Sequence, residues 1–209
     1  MTADEPPSGR FCLITVGATV GFEQLTKAAL EPPFWQFLGD NGFSNLRIQC
    51  GPDVSWAATQ VSQLEKEIPA GFSVDVFDVR KNLMLEEMAL CKPIKGQRAQ
   101  GLIISHAGTG TILDAWKLGV PLVVVPNTGL LNDHQTEMAK HLAREGYATM
   151  AKPSRLDLQD AIRKAELLVE ENKSRWPPHP VGKQGAAARL WDIKPTEVKA
   201  EEVSQMTHD

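Results

Sequence analysis

No stretch of this chain stays apolar for the roughly 18 residues that a membrane-crossing helix needs. The first ten residues, Met1 to Arg10, are polar and include Asp4 and Glu5. They lack the basic and then apolar build of a secretory signal and are expected to form a loose leader. Cysteine is scarce: Cys12, Cys50 and Cys91 stand far apart, with no Cys-x-x-Cys pair. An odd number of distant thiols fits a reducing compartment, each thiol serving as a small apolar residue, so the cytosol is the expected location. Positive charge is also in short supply, with 22 Lys and Arg against 26 Asp and Glu. Broad nucleic-acid binding needs a basic field that releases counterions, and the net charge of −4 argues against it.

Several chemical signatures are missing too. There is no Gly-x-x-x-x-Gly-Lys-Ser/Thr phosphate loop. Gly108 and Gly110 start a dinucleotide-type turn, but Leu113 stands where its third glycine belongs. The five histidines show no zinc-ligand spacing, and no Gly-x-Ser-x-Gly elbow occurs. No Asp-x-Asp pair is present to hold Mg²⁺. No metal and no cofactor are expected.

What is present is a chain of 209 residues, 42% hydrophobic and 23% charged, long enough to bury a sizeable core. Short apolar runs rich in β-branched residues alternate with helical periodicity. Strands are expected at 11–16, 46–50, 73–77, 102–105 and 122–125. Helices are expected from Phe22 to Leu30, where Pro32-Pro33 interrupts, then at 83–90, 111–118 and 134–145. Ser154-Arg-Leu-Asp157 fits a capping box that opens a helix to about Asn172. This alternation predicts an α/β domain over 11–172, a Rossmann-like parallel sheet with helices on both faces. Residues 173–209 form a tail in which Gly185 to Ile193 is expected to be a short helix. Lys92 to Arg98 is a basic loop, read either as a solvated face or as a contact for anionic lipid.

In such sheets ligands bind at the carboxyl ends of the strands, near a topological switch point. Two glycine-bearing turns follow strands here, Gly17 to Gly21 and His106 to Gly110. At the second, Gly108 and Gly110 remove side chains where a helix begins. Its free N–H groups and dipole suit a diphosphate. Thr109 and Thr111 add hydroxyls, His106 adds a donor, and Asp114 lies one turn along, where a carboxylate can accept both hydroxyls of a ribose. The plainer reading is a tight turn with a core histidine and a solvated acid, and spacing alone leaves both open. At the first turn Gly17 and Thr19 offer an amide and a hydroxyl, or simply connect two elements. In the loop Asn127 to Gln135, Gln135 can donate and accept, while Asn132, Asp133 and His134 also fit helix caps.

Taken together, these residues resemble a known signature. His106-Ala-Gly-Thr-Gly-Thr-Ile-Leu-Asp114, Gly119-Val-Pro121, Pro126 and His134-Gln135 are similar to the nucleotide-sugar motif of two-lobed GT-B glycosyltransferases. Ile14-Thr-Val-Gly-Ala-Thr19, Lys117-Leu-Gly-Val-Pro-Leu-Val-Val-Val125 and Asn132-Asp-His-Gln135 add to this. They resemble the catalytic-subunit family of the eukaryotic two-subunit UDP-N-acetylglucosamine transferase, over roughly 11–150.

The resemblance implies a single donor-binding lobe that works with a membrane-anchored subunit supplying the acceptor lobe. That heterodimer would sit at the cytosolic face of the endoplasmic reticulum, with this chain peripheral to the membrane through its partner. The implied reaction, in N-glycan precursor assembly, moves GlcNAc from UDP-GlcNAc to GlcNAc-diphosphate-dolichol with inversion. It places His106, Gly108, Gly110 and Thr111 at the diphosphate and Asp114 at the ribose. Gln135 falls at the sugar or ribose, and Gly17 and Thr19 on the first phosphate-side loop. Inverting transfer also needs a base for the acceptor hydroxyl; His134 is the candidate on this chain and the partner lobe the alternative source. Two departures stand out: Asp114 is one methylene shorter than the usual Glu, and Ala18 removes a hydroxyl from the usual Gly-Thr-Thr.

The tail residues Trp176, Leu190, Trp191 and Ile193 either dock on the partner or fold back on their own domain. The rival readings are a non-catalytic nucleotide-sugar-binding or assembly module and a sugar-nucleotide epimerase, for which one lobe is too short.

Overall fold

The computed structural model describes residues 9–129 and 134–175. Among them, six strands form one wholly parallel sheet: β1 (Phe11–Thr15), β2 (Asn45–Gln49), β3 (Ser73–Phe77), β4 (Leu102–Ser105), β5 (Leu122–Val124) and β6 (Thr149–Met150). Their order is β3-β2-β1-β4-β5-β6. It reverses between β1 and β4, and the loops leaving those two strands diverge to opposite faces, which opens a crevice at their carboxyl ends. Thr15 is level with both Gln49 and Ser105, so the three central strands end together.

Both faces of the sheet are covered at its centre, which is why β1, β4 and β5 read as continuous apolar runs, whereas β2 and the edge strand β3 alternate polar and apolar residues. Cys12, Ile14, Leu46, Ile48, Leu102, Ile104 and Val123 project to one side. There they meet α1 (Glu23–Ala29), α2 (Pro32–Asp40), α3 (Val54–Gln63) and α7 (Arg155–Arg175) through residues such as Leu25, Phe34, Ala57 and Ile162. Leu13, Phe77, Ile103, Leu122 and Val124 project to the other side. Those meet α4 (Leu83–Glu86), α5 (Thr109–Leu118) and α6 (His134–Arg144) through Ile112, Ala115, Ala139 and Leu142. The cysteines are free and buried. Burial pushes the thiols of Cys50 and Cys91 up to about 12 and that of Cys12 well above its ordinary value, so they act as apolar filler.

Four elements differ from the sequence reading. Pro32 and Pro33 do separate two helices, but they also open α2 as its first two residues, where a missing N–H costs nothing. Helix α3 and strand β6 were not marked by the pattern; β6 is two residues long and its Thr149 hydroxyl donates to Ala161 O at 3.0 Å. The helix expected at 83–90 stops at Glu86 and continues as a 3₁₀ turn, Met88–Cys91. Glu87 between them has a stretched φ of −119°, and its buried carboxylate accepts from Arg47 at 2.5 and 3.0 Å and from Arg80 at 3.0 Å. The α7 cap forms as expected at its Ser154 end: Asp157 N–H donates to the Ser154 hydroxyl at 3.3 Å, and that hydroxyl donates to the Asp157 carboxylate.

The amino edge of the sheet is closed by Arg10, at the end of the expected leader. Its guanidinium donates to Gln100 O at 2.8 Å, to Asn41 O at 2.7 Å and to the Glu166 carboxylate, and stacks 3.9 Å over Phe43. The basic loop Lys92 to Arg98 precedes β4 and so lies toward this edge, away from the crevice. The tail helix expected at 185–193, and Trp176, Leu190, Trp191 and Ile193, fall outside the described residues.

Candidate functional site

At the carboxyl edge the loops after β1, β4 and β5 meet around a cavity of about 160 Å³. Val16 and Gly17 to Val20 form one wall, His106 another, and Asn127 with Gln135 a third. Four of the sequence candidates, Gly17, Thr19, His106 and Gln135, therefore converge. Two larger cavities, about 510 and 420 Å³, lie against α7 on other parts of the molecule and contain no glycine-rich turn, so size does not mark the site.

His106 is the centre of the arrangement. It follows β4 directly, and its own N–H extends the ladder to Thr15 O at 3.0 Å. Its Nδ1 also reaches Thr15 O, at 3.2 Å. The ring is packed between two glycines. A Cβ built at Gly17 would stand 2.9 Å from Nε2, and one at Gly108 would stand 2.7 Å away. Both approaches are closer than any side chain tolerates, and Gly17 also has φ +92°. Burial lowers the pKa of His106 below its ordinary value, only partly offset by the bond to Thr15.

Two features of the site were not read from the sequence. Ala107, between His106 and Gly108, has φ +65°, a left-handed conformation that costs an alanine on the order of 1 kcal/mol. It turns the chain sharply from β4 into α5. Asn127 N–H donates to the Gln135 Oε1 at 3.2 Å, and Asn127 Oδ1 accepts from Gly129 N–H at 3.1 Å. The first bond fixes the Gln135 amide so that its NH₂ is the end left for a ligand. The Asn-Thr-Gly run after Pro126 is the Asx-turn signal that points to this residue.

Helix α5 begins at Thr109 with Gly108 as its cap residue, and no side chain caps it, so the first-turn N–H groups stay open to an anion. Gly110 falls in that first turn, with nothing within 4 Å of its missing Cβ; no packing demand explains glycine there. Thr111 is half-buried in the same turn. Asp114 does not line the cavity: its carboxylate is paired with Lys117 at 2.9 Å. His134 starts α6 as an exposed side chain 3.9 Å from Glu137, also outside the cavity lining. Among the described residues no group of three or more His, Cys, Asp or Glu is placed to hold a metal ion, and no helix is long and apolar enough to cross a membrane.

An open parallel sheet of this order, with an uncapped helix and glycine-bearing loops meeting at its switch point, is a single Rossmann-like lobe of the GT-B glycosyltransferase kind. Residues 11–180 match the family described as glycosyltransferase family 28 C-terminal domain. The chain belongs to that family and, within it, to the glycosyltransferase subunits named UDP-N-acetylglucosamine transferase subunit ALG13. The relative of that name from Candida glabrata is 30% identical over 169 residues, 72% of this chain and 84% of its own length. The one from Saccharomyces cerevisiae is 31% identical over 171 residues, 73% of this chain and 83% of its own. A solution NMR structure of ALG13 superimposes with a TM-score of 0.56 at 27% identity, covering 76% of this chain and 86% of that one.

Proposed function

We propose that this chain is the donor-binding, catalytic subunit of an inverting N-acetylglucosaminyltransferase. It moves GlcNAc from UDP-GlcNAc to GlcNAc-diphosphate-dolichol and gives chitobiosyl-diphosphate-dolichol. A membrane-anchored partner supplies the acceptor lobe and holds the chain at the cytosolic face of the endoplasmic reticulum. The observation that carries the reading is the meeting of the β1, β4 and β5 loops around His106 at the switch point. The cavity, at about 160 Å³, is smaller than the roughly 300 Å³ and more of a complete small-molecule site. It suits a phosphate group, and the rest of the donor then lies across the open edge that a second lobe covers.

In the proposed step an acceptor hydroxyl oxygen bonds to C1 of the donor sugar as the C1–O bond to the diphosphate breaks. The electron pair leaves with UDP and the hydroxyl proton passes to a base. The open N–H groups of α5 and the His106 ring stabilise the negative charge on the leaving group. Gly110 and Thr111 allow and supply contacts to it, and Gly17 and Thr19 close over it from the first loop. Asp114 leaves Lys117 to take the ribose hydroxyls, either by a closer approach than Glu needs or through a water. Gln135 donates to a sugar oxygen. His134, exposed at the start of α6 and free to reorient, is the contributor to proton removal from this chain. The relatives' description as a subunit supports the need for a partner.

The test is transfer of radiolabelled GlcNAc with and without membranes carrying the partner. The expected result is transfer only with both, abolished by His106→Ala and by Asp114→Ala with assembly intact. Full turnover by the purified chain alone overturns the split-enzyme reading. Survival of transfer in both variants favours a non-catalytic assembly module.

A further inference from the structure

His106 offers the cavity only one ring nitrogen. Its Nδ1 lies 3.2 Å from the carbonyl oxygen of Thr15, an atom that can only accept, so Nδ1 carries the hydrogen. In the neutral ring Nε2 then holds a lone pair. That nitrogen has no hydrogen-bond partner among the described residues, and the ring forms a wall of the cavity. A lone pair repels a phosphate oxygen, since both are acceptors. The ring cannot turn to avoid the conflict, because Gly17 and Gly108 close on it from two sides and a flip breaks the bond to Thr15.

We propose that His106 takes up a proton from solution as a nucleotide diphosphate docks, so that the leaving group of the transfer faces an imidazolium. This rests on the donor-site reading above. The charge has no other source nearby. None of the other described residues lining the cavity is charged. Among the charged groups on the surrounding elements, Glu23 of α1 pairs with Lys27 at 2.7 Å and Asp114 of α5 with Lys117 at 2.9 Å, and Glu137 of α6 lies 3.9 Å from the His134 ring, both exposed. The Asp53 carboxylate stands beside Gly21, its Oδ2 buried with no hydrogen-bond partner among the described residues, and only burial and the Thr15 bond act on the His106 ring. Helix α5 contributes only a partial positive charge.

The sign follows from linkage. In the free chain burial keeps the imidazole neutral near pH 7, and a diphosphate at Nε2 favours the charged form. Donor affinity therefore strengthens as pH falls from the bound-state pKa to the free-state pKa, by up to about tenfold per pH unit. It levels off outside that window.

The probe is UDP-GlcNAc, which has no terminal phosphate monoester and so does not itself titrate near pH 7. The His106 ring C–H signals of the full chain are followed by NMR against pH, free and with saturating UDP-GlcNAc. The expected apparent pKa lies below the ordinary histidine value when free and rises by at least about one unit when bound. Calorimetry in two buffers of different ionisation enthalpy, with the partner present, then shows net proton uptake. His106→Gln, which donates without titrating, binds with a flat pH profile. If that variant does not fold, the wild-type titration still decides. Signals that respond to UDP-GlcNAc with an unchanged or lowered pKa overturn the proton uptake and leave the donor site standing. No response of His106 up to millimolar UDP-GlcNAc, alone and with the partner, overturns both.

Discussion

The two edges of the sheet are built on opposite plans. At the amino edge Arg10 ties the start of β1 to Gln100, two residues before β4, to the turn after α2 and to α7, and each of its three guanidinium nitrogens meets an oxygen. The Arg10 backbone joins in, its N–H donating to Ser44 Oγ at 3.0 Å and its carbonyl accepting from Ser44 and Asn45. At the carboxyl edge polar groups are left open or strained. Ala107 is left-handed, α5 has no side-chain cap, and the buried hydroxyls of Thr15 and Ser105, side by side at the strand ends, have no hydrogen-bond partner among the described residues. An unanswered buried polar group costs about 1–3 kcal/mol. The edge that holds the fold and the edge that meets the ligand are thus the two ends of the same strands. Changes at one should register in stability, and changes at the other in binding.

The sharpest way to break that division is to fill the space around His106. Gly17→Ala and Gly108→Ala each place a methyl group within 3 Å of Nε2, so the ring or the loop must move. A displacement of this size at a positioning group costs on the order of 100-fold. The expected outcome is such a loss of UDP-GlcNAc affinity, read by calorimetry on the assembled complex. Wild-type affinity in both variants places the donor away from this cavity.

Arg10→Ala probes the other edge. It strands two carbonyls and the Glu166 carboxylate, and urea unfolding is expected to show a loss of about 2–4 kcal/mol. Donor affinity of the folded protein should stay within about twofold, a change under 0.5 kcal/mol. A large binding defect here would mean the two edges are coupled through β1 and β4.

The smallest effect separates the roles within the first turn of α5. Gly110 has open space where its Cβ would be, and alanine is the better helix former by up to about 1 kcal/mol. Gly110→Ala should raise the melting temperature slightly while weakening UDP-GlcNAc binding. Unchanged binding removes Gly110 from the diphosphate contacts.

Much of the fold was legible because its central strands are buried on both faces. Phe11-Cys-Leu-Ile-Thr15 and Leu102-Ile-Ile-Ser105 read as strands for that reason, and five strands were placed within a residue of their ends. Strand β6 was not, since Thr149-Met150 is too short to show a period. Helix α3 was missed although Val54, Ala57, Ala58 and Val61 stand at helical spacing; two of the four are alanines, a weak apolar signal, and Ala57 alone is fully buried. At the site, Gly17, Thr19, His106 and Gln135 were legible as glycine turns and polar residues following strands. Ala107 was not, because alanine carries no mark of a left-handed backbone. Asp114 was placed on α5 correctly, but its pairing with Lys117, three residues on, was overlooked although that spacing puts the two on one helix face.

The residues alone determined an alternating α/β chain, its glycine turns and the membership that its motifs carry, because periodicity and turn chemistry are local properties. Tertiary structure decided which turns meet. The reversal of strand order between β1 and β4 brings Gly17, 89 positions before His106 in the chain, into contact with its ring. The same packing decided that His106 shows the cavity one nitrogen and gives the other to Thr15, a choice that depends on a neighbouring strand and so is written in no local pattern.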